Sequence, residues 1–193
     1  MAALVELRDR LLRRPGMADL TGQEADDLLA EAAEMVHDYC GWRVWPRLMD
    51  TVTVDSVGGA VAGLPTMMLH EVSSVETRPP AATGPDAWEP VAGGWDWSEG
   101  GWLYRCGRWP DGPRRLRVVM ESGYMEPPGA VGSVMLGIAA RVRTAPVGVS
   151  SEQAGGESVS YGTSGASTDS GAGGQLTEAE RRVLDRYRLE NRP

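Results

Sequence analysis

Thr21-Gly-Gln-Glu-Ala-Asp-Asp-Leu-Leu-Ala-Glu-Ala-Ala-Glu-Met-Val-His-Asp-Tyr-Cys-Gly41 spells out a complete helix. Thr21 and Glu24 form a capping box, in which hydroxyl and carboxylate each satisfy a backbone N–H that the first helical turn leaves open. Glu24, Asp26 and Asp27 place negative charge at the positive end of the helix dipole. Ala25, Leu28, Leu29, Ala32, Met35, Val36 and Tyr39 recur at helical spacing, and Gly41 stands where a left-handed C-cap belongs. The spacing predicts a helix over 22–40 with an apolar stripe that needs cover. Toward the N-terminus, residues 2–13 give a shorter helix carrying Leu4, Leu7 and Leu11, stopped by Arg14-Pro15-Gly16.

Beyond Gly41 the period changes to two. Thr51-Val-Thr-Val54 alternates, and Arg115-Leu-Arg-Val-Val-Met120 puts Leu116, Val118 and Met120 on one face. Gly/Pro clusters punctuate further short strands between them, one around Met68–Val75, so residues 49–124 read as a small antiparallel sheet. Trp95-Asp-Trp-Ser-Glu-Gly-Gly-Trp-Leu-Tyr104 is the clearest hairpin. A two-residue turn at Glu99-Gly100 pairs Trp97 with Trp102 and Trp95 with Tyr104 on a single face. Pro127-Pro128 then opens a helix over 128–143, since proline suits a first turn. Val131, Val134, Met135, Ile138, Ala139 and Val142 form its stripe. Gly132 and Gly137 cost it up to about 1 kcal/mol each unless close packing requires them.

After residue 146 the composition shifts to Ser, Gly and Glu, with one alternating segment, Ser158-Val-Ser-Tyr161. The tract from Gly162 to Gly174 behaves as a coil spanning about 20 Å. Thr177-Glu-Ala-Glu180 is a second capping box, opening a helix to Leu189. The layout is α+β: a helical frame (residues 1–146) with an inserted sheet, an arm and tether (147–175), and a tethered C-terminal helix (176–193). A strand with flexible flanks and a helix on a tether both suit a neighbouring chain. Val159 and Tyr161 are the candidate anchors on a neighbour's sheet edge, and Val183, Leu184, Tyr187 and Arg188 the candidate docking face of the helix.

Composition narrows the function. The 193 residues carry a formal net charge of -8, which argues against a protein that coats nucleic acid. All 19 basic residues are arginine and phenylalanine is absent, a bias that a GC-rich genome explains. Cys40 and Cys106, far apart, read as free buried thiols of a reducing compartment. No apolar run reaches the roughly 20 residues a bilayer needs, and the charged N-terminus lacks a signal peptide's apolar core. A soluble chain in the cytoplasm is the expectation. No nucleophile elbow, P-loop or dinucleotide fingerprint is present, so neither a catalytic residue nor a cofactor is expected. His37 and Cys40 share a helix face but have no second pair at metal-site spacing, and His70 stands alone. Trp95, Trp97 and Trp102 admit two readings: a platform that stacks on sugars, making the chain a carbohydrate-binding module, or cover for one side of the sheet.

Taken in order, Leu20 to Trp42, Gly107-Arg-Trp-Pro110, Arg117-Val-Val-Met-Glu-Ser-Gly-Tyr124, Ser150 to Tyr161 and Leu176 to Leu189 resemble the head-to-tail adaptor (connector) proteins of long-tailed bacteriophages, especially those of GC-rich hosts. The order and spacing of these stretches carry the resemblance, from about residue 18 onward. It implies a non-enzymatic virion protein of the phage neck, assembled in the host cytoplasm as a ring, usually of twelve identical subunits. Such a ring docks beneath the portal protein, meets the tail-side neck proteins, and lets DNA pass without sequence-specific binding. Acidic groups facing its lumen would repel DNA and let it slide.

Overall fold

The computed structural model describes residues 2–79, 87–144, 151–154, 157–160 and 175–189. The chain forms two compact units: Met1–Cys40 with Pro127–Arg186, and Gly41–Glu126 with Tyr187–Pro193. Both are described separately below, and the architecture is mixed α+β.

The first unit is helical. Helix α1 spans Ala2–Leu12, α2 Gly22–Cys40, α3 Gly129–Thr144 and α4 Glu178–Leu184. In α2, Ala25, Leu29, Ala32, Val36 and Cys40 are buried, the inward line that the sequence spacing marks. Its capping box forms as expected: Thr21 N–H reaches Glu24 Oε2 at 2.8 Å, and Glu24 N–H reaches Thr21 Oγ1 at 3.3 Å. Leu7 and Leu11 of α1 are buried with them. Helix α3 packs against α1, α2 and α4, which explains why its burial runs through Val131, Val134, Met135, Leu136, Ile138 and Ala139 and not along one narrow stripe. Gly137 sits at a close approach, since a Cβ there would lie 3.2 Å from Glu180 Oε1. Strands β8 (Ser151–Ala154) and β9 (Glu157–Ser160) pair antiparallel, from Ser151 opposite Ser160 to Ala154 opposite Glu157. The sequence between the paired ends is Gly155-Gly156, a dipeptide suited to two-residue hairpins.

The second unit holds two sheets. Strands β1 (Leu48–Val57), β7 (Asp111–Ser122), β3 (Leu69–Thr77) and β4 (Glu89–Pro90) lie side by side in that order, all antiparallel. Strands β2 (Val61–Gly63), β6 (Trp102–Arg105) and β5 (Trp95–Ser98) form the smaller sheet. Leu116, Val118 and Met120 of the central strand face a core with Val72, Val75, Leu69, Leu103 and Trp109. Alternation along β7 thus sets which side of the sheet is dry. On the other side ion pairs prevail: Arg47 with Glu121, and Arg117 with Glu76 at 2.5 Å, the Arg117 guanidinium lying 4.8 Å over the Trp88 ring. Both glutamates have their pKa lowered, chiefly by the arginine hydrogen bond.

The hairpin differs from its sequence reading by one residue. Ser98 pairs with Trp102, Trp97 with Leu103 and Trp95 with Arg105, so the loop is Glu99-Gly100-Gly101 and not the two-residue turn expected. Gly101 N–H donates to Ser98 O at 2.9 Å, and Gly101 itself has φ +77°, the left-handed residue that ends a three-residue hairpin loop. A one-residue slip moves side chains to opposite faces. Trp95 and Trp97 pack against the core, while Trp102 falls on the other face and Tyr104 is exposed. The single aromatic platform is therefore not formed. Cys106 is another correction: it is exposed where a buried thiol was expected, because it lies past the end of β6, whereas Cys40 is buried and both are free.

Among the described residues Arg114 is the one non-glycine residue with positive φ, at 51°, held there as its N–H donates to Asp55 Oδ1 at 2.7 Å. The left-handed region costs an L-residue about 1–2 kcal/mol, partly offset by glycine's larger unfolded-state entropy. Arg114→Gly is expected to stabilise the chain by about 0.5–1 kcal/mol in urea unfolding, since the backbone donor is retained.

Candidate interaction surfaces

Chemistry has little to work with among the described residues. No group of three or more His, Cys, Asp or Glu side chains is placed to hold a metal ion. His37 Nδ1 lies 3.7 Å from Glu34, while its helix neighbour Cys40 is buried. His70 Nε2 is 2.8 Å from Gly123 O. A concavity of about 350 Å³ at the open end of the β5–β6 hairpin is bounded by Gly94, Trp95, Asp96, Tyr104, Arg105 and Cys106. No described helix is long and apolar enough to cross a membrane.

The C-terminal helix is the better-built feature. Thr177 caps α4 reciprocally with Glu180: the Thr177 N–H reaches Glu180 Oε2 at 2.8 Å and the Glu180 N–H reaches Thr177 Oγ1 at 3.3 Å. Glu180 also accepts both terminal nitrogens of Arg141, at 2.8 Å each, a two-pronged pair that ties α4 to the end of α3. Burial pushes the Glu180 carboxyl upward, but the Arg141 and Thr177 hydrogen bonds outweigh it and leave the pKa below its ordinary value. Such a group stabilises the fold fully above its unfolded-state pKa, and that stability is lost as pH falls through the depressed folded value. Glu180→Gln is therefore expected to cost about 2 kcal/mol at pH 7, a gap that closes as pH falls from about 5. Parallel urea titrations from neutral to acid pH check this.

Of the residues read from sequence as an interface, Leu184 is fully buried, and Val183 and Tyr187 are half-buried. Arg188 is exposed. Here α4 is seated on α2 and α3 of its own chain. Sequence reasoning missed the groups that receive this segment. Tyr39 donates its hydroxyl to Asp185 Oδ1 at 2.6 Å, within the helical unit. In the sheet unit, the Trp42 indole N–H reaches Tyr187 O at 2.6 Å, and the Trp42 ring lies 6.3 Å from that of Tyr124. In the sequence Tyr39 reads as part of the α2 stripe, Trp42 as the residue after Gly41 and Arg141 as a last-turn residue of α3, and none of these signals names its partner. Val159 lies in β9, which pairs with β8, and Tyr161 lies outside the described residues.

The molecule is thus an α+β protein, a small helical bundle interrupted in sequence by two antiparallel sheets. Solved chains of the same fold come from gene transfer agent (GTA) particles. A chain from the neck of an empty particle, computed with C6 symmetry, matches at TM-score 0.60 and 16% identity, over 98% of this chain and 92% of that one. A chain from the native particle's neck, computed with C12 symmetry, matches at 0.60 and 15%, over 100% and 94%. One from the virion of the native particle matches at 0.59 and 18%, over 98% and 92%. At these identities the likeness is one of fold. No protein-family model and no curated protein matches the sequence.

Proposed function

We propose that this chain is a structural, non-enzymatic protein of a phage-type neck: a head-to-tail adaptor whose copies form a ring joining the portal to the tail. The observation that carries the reading is the shared fold, end to end, with chains from symmetric GTA necks. The order of the sequence stretches that resemble phage adaptors supports it independently. DNA passes through the ring in this reading without being read.

The arm and the C-terminal helix would make the contacts between subunits. Residues 145–177 separate α3 from α4, and exchanging α4 between identical subunits keeps every contact it makes in cis, the usual route to swapped assemblies. Val183, Leu184, Tyr187 and Arg188 are then shared between neighbours, and Val159 and Tyr161 extend a neighbour's or the portal's sheet edge. The carbohydrate-module reading loses its basis once Trp102 leaves the face of Trp95 and Trp97.

Size-exclusion chromatography with light scattering, followed by imaging of the chain mixed with its cognate portal, tests the proposal. A ring, alone or on the portal, is the expected outcome. A chain that stays monomeric and never joins the portal would sink it.

A further inference from the structure

At one end of the sheet unit, four arginines gather where β1 turns into β2 and β6 leads into β7. Arg108 Nε donates to Gly58 O at 2.6 Å, Arg105 N–H to Ala60 O at 2.9 Å, and Trp109 N–H to Gly59 O at 2.8 Å. Val57 pairs with Asp111, which brings Arg114 and Arg115 to the same end. The Arg105 guanidinium lies 5.0 Å over the Trp109 ring and donates to Arg108 O at 3.4 Å. Arg115 donates to Asp111 O and to Pro79 O, both at 3.1 Å.

These partners are carbonyls, which hold a guanidinium in place without neutralising it. Six arginines elsewhere, Arg8, Arg47, Arg117, Arg141, Arg143 and Arg182, each meet a carboxylate. Among the described residues, none of the four at this end does. Arg108 and Arg114 are exposed, and Val57 beside them is 62% exposed.

The helical unit carries the opposite pattern. Asp27, Glu31, Glu34 and Asp38 follow one another at steps of four, three and four along α2, all exposed, so they line its outward face. Among the described residues they meet only Gln23, whose amide reaches Asp27 at 2.8 Å, and His37 beside Glu34. No described arginine forms an ion pair with them.

We propose that the arginine end of one copy docks on the acidic α2 face of the next copy. The inference rests on the ring reading above and names a contact that would build the ring. A cyclic ring of identical subunits joins two different patches that complement each other, and this chain carries both. Guanidinium forks suit carboxylates geometrically, and opposite charge speeds encounter while penalising wrong registers. A DNA backbone is the competing occupant. Val57, 62% exposed beside the arginines, offers apolar surface that a phosphate chain does not use and a protein face does.

The test is a charge swap in the full-length chain, read by sedimentation at low and high salt. Arg108→Glu with Arg114→Glu makes the patch acidic; Glu31→Arg with Glu34→Arg makes the helix face basic. The wild type is expected to self-associate less as salt rises, and each variant alone at least about tenfold more weakly than the wild type. An equimolar mixture restores association, because each variant's altered patch then complements the other's. Arg114→Glu alone, whose side chain bonds to no described residue, carries the test if the double variant melts early.

A wild type that never self-associates, variants that associate as it does, or a mixture that stays weak would overturn the contact. So would salt-sensitive binding of a labelled DNA duplex that the Arg108→Glu, Arg114→Glu variant loses, which reassigns the patch to phosphate. The two proposals fail differently. Charge-dependent association without portal binding removes the neck reading alone; portal-bound rings formed equally by both variants remove only this contact.

Discussion

Gly101→Ala is expected to destabilise the sheet unit by at least about 3 kcal/mol, more than most single substitutions. Two independent costs meet at this position. Gly101 has φ +77°, where an L side chain is strained, and a Cβ built there would lie 2.2 Å from Thr66 O and 3.1 Å from Thr66 Cγ2. The obstacle is backbone, so it cannot swing aside. Nor can the segment simply retreat, because Leu64 N–H donates to Gly101 O and Leu69 N–H to Glu99 O, each at 2.8 Å. Those bonds clamp the hairpin tip onto the stretch leading into β3, and Leu64 and Leu69 are both buried. Moving the loop by an ångström breaks the clamp and loosens the core behind it. Gly100→Ala is the control: its Cβ meets nothing closer than 3.9 Å and its φ is unremarkable. Urea unfolding of the two variants should show a large shift of midpoint for Gly101→Ala and a small one for Gly100→Ala. Equal midpoints would mean that the clamp is not rigid.

The contrast between these two glycines shows what the sequence could and could not tell. Both lie in one Gly-Gly pair, and hairpin chemistry allows either a two-residue or a three-residue loop there. Choosing between them needs the tertiary contact with Thr66, and the choice decides which face every tryptophan takes. Where a signal is local, reading it works. The capping boxes at Thr21 and Thr177, the stripe of α2 and the alternation of Leu116, Val118 and Met120 depend on neighbours a few residues away, and each is found as read. Where a property depends on what another element supplies, it was not legible. The exposure of Cys106 follows from the end of β6, and the register shift between Val54 and Ser56 follows from Asp55 capturing the Arg114 N–H. The apolar side of the last helix was legible, but its receptor was not. Within the helical unit that receptor is assembled from Tyr39 and Arg141, residues far apart in sequence.

Leu184→Ala is the second substitution expected to act strongly, and its pattern bears on how α4 is used. Leu184 is 0% exposed, and truncating a fully buried leucine costs about 2–5 kcal/mol through lost burial and the cavity left behind. Helix α4 has only seven residues, too short to persist in water, so its order comes from this packing and from the Arg141–Glu180 pair. Amides of α4 should therefore exchange near random-coil rates in Leu184→Ala, and the α2 and α3 backbone beside them should lose protection too. Glu178→Gln, at an exposed pair with Arg182 on the far side of the same helix, should change stability by well under 1 kcal/mol. Concentration then separates packing in cis from exchange between copies. In a free subunit with α4 seated on its own chain, protection of α4 in the wild type is independent of dilution. In a swapped ring it falls as subunits separate, then recovers only as fast as the helix returns to its own α2 and α3. Protection that fell on dilution and never returned would mean that the cis seat is not a stable resting place, and that the helix belongs to a neighbour from the start.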